Sequence, residues 1–159
     1  MDLIYIETTV IGNVAGRIHA DPDVASRQRA TRTWWSSAGS RYQLAISQLV
    51  IDECSDGDPS AAQERLDVLD GLPLLAITDD ARSLARLLTD EGAVPQSEPR
   101  DALHIAVSAV QRVQYLVTWN FKHIANATMR TKIEQTCRDA GFEPPIICTP
   151  PEIPGDSDD

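Results

Sequence analysis

The stretch Leu3-Ile4-Tyr5-Ile6-Glu7-Thr8-Thr9 decides how the chain is read. Four apolar residues in succession, two of them Ile and one aromatic, predict a short strand buried on both faces. The run stops at a carboxylate and two hydroxyls, and Gly12 follows as punctuation. Open α/β sheets place ligands at the carboxyl ends of their strands. Glu7 is therefore either a ligand-facing acid or a polar residue that simply ends the strand at the surface. The stretch alone leaves both readings open.

Similar runs recur along the chain. Tyr42–Ser47, Leu72–Ile77, Tyr115–Thr118 and Pro144–Cys148 predict further strands, with the prolines suited to edges or strand starts. Between them lie helical patterns at Pro22–Ser37, Gln48–Cys54, Ser60–Leu69, Asp80–Glu91, Arg100–Val110 and Lys122–Ala140. Asp21-Pro22-Asp23 supplies a cap, a first-position proline and a dipole-favoured acid. Gly39, Gly71, Gly92 and Gly141 mark helix ends. Asn13–Ala20 reads as a loop. Strands alternating with helices indicate an α/β domain with a mostly parallel sheet.

A chain of 159 residues, 42% hydrophobic, favours a single domain. We place it at residues 1–151, followed by an acidic tail at 152–159 expected to be disordered. No apolar run is long enough to span a membrane, and the strand-first N-terminus lacks the basic flank of a secretory signal. Cys54, Cys137 and Cys148 show no C-x-x-C spacing, which points to reduced thiols and a cytoplasmic protein. A net charge of −10 argues against broad, non-specific nucleic-acid binding, which needs many Lys and Arg contacts. It leaves room for a nucleic-acid substrate where a bound divalent cation inverts the local field. It also suits a basic protein partner, or solubility alone.

Three acids stand out by position: Glu7, Glu53 and Asp101, with Asn120 as a neutral companion. Glu53 lies three and four residues beyond Val50 and Leu49, so on a helix it shares an apolar face. It is then either solvated at the edge of that stripe or turned inward to a partner. Asp101 opens a nearly all-apolar helix, where a dipole-favoured acid is the plain alternative to a ligand. His104, one turn on, reads as a core or supporting histidine in preference to a metal ligand. Arg27, Arg29 and Arg32 near Trp34 and Trp35 read first as a solvated face beside packed rings, and second as an RNA contact. Clustered carboxylates repel one another unless a hard cation such as Mg²⁺ or Mn²⁺ takes their oxygens. Phosphate loops of the G-x-G-x-x-G or Walker type, a G-x-S-x-G elbow and a zinc spacing are all absent from the sequence.

Four segments, in order, carry a resemblance: Tyr5-Ile-Glu-Thr-Thr9, Ile46-Ser-Gln-Leu-Val-Ile-Asp-Glu53, Asp101-Ala-Leu-His-Ile-Ala106 and Leu116-Val-Thr-Trp-Asn-Phe-Lys-His-Ile124. Together they resemble the PIN-domain family, in particular the VapC-type toxin ribonucleases of toxin–antitoxin pairs. The resemblance implies a three-layer α/β/α fold with a short parallel sheet. It implies a Mg²⁺ or Mn²⁺ site on Glu7, Glu53 and Asp101, with Thr9 beside the first acid and Asn120 where many members carry a further Asp. It also implies RNA cleavage, a homodimer and a small basic antitoxin as partner. Two departures accompany it. Glu7 is one methylene longer than the usual Asp, and Asn120 offers no charge, so one well-held cation is expected at most. A catalytically weak PIN-like module acting through a protein partner is the alternative from another class, and a DNA nuclease of the same fold is a more distant one.

Overall fold

A computed structural model describes residues 1–153. The chain forms β1 (Leu3–Ile6), α1 (Thr8–Val14), α2 (Pro22–Arg41), β2 (Gln43–Ala45), α3 (Gln48–Cys54) and α4 (Pro59–Leu69). It continues with α5 (Asp79–Asp90), α6 (Pro99–Val110), β3 (Tyr115–Val117), α7 (Ala127–Asp139) and β4 (Ile146–Cys148), closing on a 3₁₀ turn at Pro150–Glu152. The strands make one parallel sheet in the order β2-β1-β3-β4. The helices pack in two sets, α1 to α4 against one another and α5 to α7 against one another. This is the three-layer α/β/α architecture.

Sequence explains the layering. Ile4, Tyr5 and Ile6 are fully buried, as a central strand covered on both faces requires. Tyr5 pairs with Ala45 on one side and Leu116 on the other. In α6, Ala102, Ile105, Ala106 and Val107 are completely buried, so this nearly all-apolar helix packs inside the fold. From β1 the chain moves outward to β2, then returns to place β3 on the opposite side of β1. The strand order therefore reverses between β1 and β3. That is the point at which open α/β sheets form a crevice beyond the carboxyl ends of their strands.

The chain ends its helices as the glycines suggest. After α5, Gly92 takes φ 77° while Ala93 N–H donates to Leu88 O and Gly92 N–H to Thr89 O. Gly141 closes α7 in the same way, with Phe142 N–H on Cys137 O.

Several expectations change. Asn13–Ala20 is not all loop, because α1 occupies Thr8–Val14 and runs through Gly12. The polar residues that end β1 start this helix, with Glu7 as its N-cap. Helix α2 likewise continues through Gly39 to Arg41. Leu72–Ile77 does not form a strand: one bridge joins Leu74 to Ile46, and Leu74 lies open to solvent. Pro73, lacking an N–H, can only accept there, from Ile46 N–H. Helix α7 starts at Ala127, capped by the Asn126 side chain, so Lys122–Asn126 is a turn and not a helix. At the other end the fold continues past 151: Glu152 bonds back to Thr149, and Ile153 is buried in the core. The rest of the expected tail, 154–159, lies outside the described residues. Among the described residues, no helix is long and apolar enough to cross a membrane.

Candidate metal centre

Glu7 sits immediately beyond β1, at the reversal of strand order. Its backbone N–H continues the ladder onto Val117 O at 3.1 Å. Its side chain is 3% exposed. A single oxygen, Oε1, takes every hydrogen bond that the described residues make to this carboxylate. Thr118 Oγ1, just beyond β3, donates at 2.7 Å, the Thr9 N–H at 3.1 Å, and the Thr9 hydroxyl also donates. Oε2 has no hydrogen-bond partner among the described residues. A buried carboxylate without a cation is costly, and three donors on one oxygen offset only part of that cost. Among the described residues, neither Lys nor Arg pairs with Glu7.

Glu53, near the end of α3, meets it from the other side. Its Oε1 accepts from Thr8 Oγ1 at 2.5 Å and bonds His104 Nε2 at 2.7 Å. Here too Oε2 has no hydrogen-bond partner among the described residues. Burial pushes the Glu53 carboxyl up, but the hydrogen bonds from His104 and Thr8, with Arg100 nearby, outweigh it and hold the carboxyl below its usual range. The group is thus ionised at neutral pH.

Behind Glu53 runs a buried relay. His104 Nδ1 bonds the Tyr5 hydroxyl at 2.7 Å, and that hydroxyl bonds Ser47 Oγ at 2.7 Å. Burial drives the Tyr5 hydroxyl far above its usual pKa, against the lowering effect of Ser47, so it keeps its proton. An ionised Glu53 can only accept, so His104 Nε2 donates to it; in the tautomer with a bare Nδ1, that nitrogen accepts from the Tyr5 hydroxyl. Ser47 then donates to Tyr5. Ser47, at the N-cap position of α3, makes no side-chain cap, its hydroxyl being turned to Tyr5 instead.

One ligand atom each from Glu7, Glu53 and His104 lie within 4.8 Å of one another, so this buried group can hold a divalent metal. The oxygens suit a hard cation, since each glutamate anchors one oxygen in the protein and leaves the other unbonded. Both nitrogens of His104 are already hydrogen-bonded within the fold. We therefore assign His104 to holding Glu53, an outer-shell role of the kind that orients metal ligands.

Asp101 falls outside that group. It stands in the first turn of α6, where its Oδ2 bonds His123 Nδ1 at 3.0 Å, with Glu98 4.0 Å from the same nitrogen. Glu98, Asp101 and His123 form a second set of ligand atoms within 4.8 Å. Glu53 of the first group and Glu98 and Asp101 of the second line a common cleft of about 450 Å³, together with Arg100. Asn120 serves the turn after β3: its Oδ1 accepts the His123 N–H at 3.0 Å, and its N–H donates to Thr118 Oγ1 at 2.9 Å. Its carbonyl oxygen is thus engaged locally.

Sequence reading singled out Glu7, Glu53, Asp101 and the supporting character of His104, but it missed Tyr5, Ser47, Thr8, Thr118 and His123. Tyr5 carried a signal, being the one hydroxyl-bearing side chain inside an otherwise aliphatic buried run. The Arg/Trp stretch of α2 resolves into separate parts. Trp34 is buried, Arg32 donates to the carbonyls of Asn13, Ala15 and Gly16, and Arg27 reaches Trp119.

No protein-family model matches the chain, and no curated protein or solved structure does either.

Proposed function

We propose that the protein is a metal-dependent endoribonuclease of the PIN type, acting as the toxin of a toxin–antitoxin pair. The observation that carries this reading is the pair Glu7 and Glu53 at the sheet's crevice, each with one oxygen fixed by the fold and the other unbonded. Glu7 and Glu53 would hold Mg²⁺ or Mn²⁺, with Asp101 reaching it from across the cleft. A divalent cation supplies charge stabilisation of a phosphodiester transition state and lowers the pKa of water. The remaining work falls to the chain. Thr8 and His104 fix Glu53, while Thr9 and Thr118 fix Glu7, which keeps the carboxylates from reorganising as the reaction proceeds. His123 holds Oδ2 of Asp101 and so fixes the carboxylate, leaving Oδ1 as the oxygen that would reach the cation. Asn120 shapes the turn that presents His123.

The net charge of −10 supports a small basic antitoxin as partner of a homodimer. Three buried thiols without a disulfide support a reducing, cytoplasmic setting.

The test is cleavage of a labelled single-stranded RNA with Mn²⁺ by the wild type and by Asp101→Asn, with a single-stranded DNA of the same sequence beside it. RNA cleavage lost in the variant supports the reading. Equal cleavage by both proteins, or none by either, refutes it. A second reading, a weak PIN-like module acting through its partner, is favoured by Asn120, which brings no fourth carboxylate and uses its oxygen locally. That reading predicts Mn²⁺ binding without RNA turnover.

A further inference from the structure

The turn between β3 and α7 carries a second feature, outside the carboxylates. Trp119 and Phe121 meet edge to face, with centroids 6.0 Å apart and planes at 66°. The Arg27 guanidinium, from α2, lies over both rings, 5.1 Å from the Trp119 centroid and 5.6 Å from that of Phe121. Trp119 is fixed at two points. Its N–H donates to Thr9 Oγ1 at 2.8 Å and its indole Nε1–H to Thr31 Oγ1 at 2.8 Å. Phe121 is 48% exposed, a large ring left open to solvent on a rigid support. Arg27 and Lys122, flanking it, are also exposed, and neither pairs with a carboxylate among the described residues.

This cluster is tied to the metal centre by one side chain. Thr9 Oγ1 accepts from Trp119 N–H and donates to Glu7 Oε1. The rings and the carboxylate are thus held in fixed relation.

We propose that Phe121 and Arg27 form a stacking subsite for an unpaired nucleobase, with Arg27 and Lys122 meeting the flanking phosphates. The ligand class is single-stranded RNA, and the proposal rests on the ribonuclease reading for its choice of nucleic acid. Every base offers a π-face, so an exposed aromatic ring captures unpaired strands with little sequence preference. Bases stacked inside a duplex are not available to it, so the subsite selects unpaired nucleotides. The cations matter because the chain is otherwise strongly acidic and must offset repulsion where phosphates approach. The subsite would set the register of the strand against Glu7.

The test is anisotropy of a short fluorescein-labelled oligouridylate with the full chain in EDTA, so that no cleavage occurs. Phe121→Ala is expected to weaken binding by about 10–100-fold, the usual effect of losing one base-stacking ring. Phe121→Trp restores binding, because it supplies another π-face, whereas Phe121→Leu behaves like the alanine variant. Arg27→Ala lowers the slope of log affinity against log salt by about one phosphate contact. An abasic oligomer of the same length binds the wild type only as well as oligouridylate binds Phe121→Ala. Failure of the wild type to bind, an effect of Phe121→Ala below about two-fold, or full binding by Phe121→Leu overturns the subsite. Binding that depends on Phe121 without any cleavage in Mn²⁺ would sink the nuclease reading alone. Cleavage with binding indifferent to Phe121 would sink the subsite alone.

Discussion

Tyr5→Phe isolates the buried relay behind Glu53. The substitution removes one oxygen from a fully buried ring and leaves the packing volume almost unchanged, so no cavity forms. Two groups lose their partner, His104 Nδ1 and Ser47 Oγ. Ser47 has an alternative: it occupies the N-cap position of α3, where its hydroxyl can turn to the helix N–H groups it now ignores. His104 is completely buried and has none. One stranded buried acceptor costs about 1–3 kcal/mol. For a chain of this size each kcal/mol moves Tm by about 2–4 °C, so the expected fall is about 2–12 °C. Calorimetric melting of the metal-free protein reads it directly. A double-mutant cycle with His104→Leu sharpens the result, because Tyr5→Phe should cost less once the acceptor is gone. A Tyr5→Phe protein as stable as the wild type, or an undiminished cost in the His104→Leu background, would refute the relay.

Other consequences follow from the same geometry. Thr118→Val keeps the shape of a fully buried side chain but removes the donor to Glu7 Oε1 and the acceptor of the Asn120 N–H. Mn²⁺ affinity, measured by calorimetry, should fall by about 10–100-fold, as when other outer-shell partners are lost. Glu53 titrates below its ordinary 4.5 in the folded protein, so its contribution is complete above that pH and is lost as pH falls through the lower folded value. The Tm advantage of the wild type over Glu53→Gln, in metal-free buffer, should therefore shrink on acidification below about pH 4.5; an advantage that grows has the wrong sign. Arg112 ends α6 at φ 59°, accepting the strain that Gly92 and Gly141 avoid at their own helix ends. Arg112→Gly should raise stability by about 0.5–1 kcal/mol in thermal melts.

How legible was this in the sequence? The parallel α/β class was plain, because buried strands such as Ile4–Ile6 read as unbroken apolar runs and the helices between them carry caps. The acids were legible one at a time, each by its position at an element end or on an apolar face. Their grouping was not legible from spacing and came only as what the family resemblance implies. Whether Glu53 faces Glu7 depends on strand order, and it is the reversal between β1 and β3 that brings Thr118 onto Glu7. The same holds for Asp101, which pairs with His123 across the turn after β3 and so belongs to a neighbouring set of ligand atoms. Helix α1 was missed because Glu7, Thr8 and Thr9 look like the polar end of a strand. They serve equally well as the capped start of a helix, and Gly12 disguised its interior. The run Leu72–Ile77 has strand composition, yet Pro73 and the exposed Leu74 reduce it to a single bridge. Tertiary context outweighed propensity there.

Calorimetric titration of the metal-free chain with Mn²⁺ tests the central claim most directly. We predict one saturable site in the wild type that is lost in both Glu7→Gln and Glu53→Gln and weakened but kept in His104→Leu. Equal binding by the wild type and the two glutamine variants, or no saturable binding by the wild type, would contradict a metal centre built on Glu7 and Glu53.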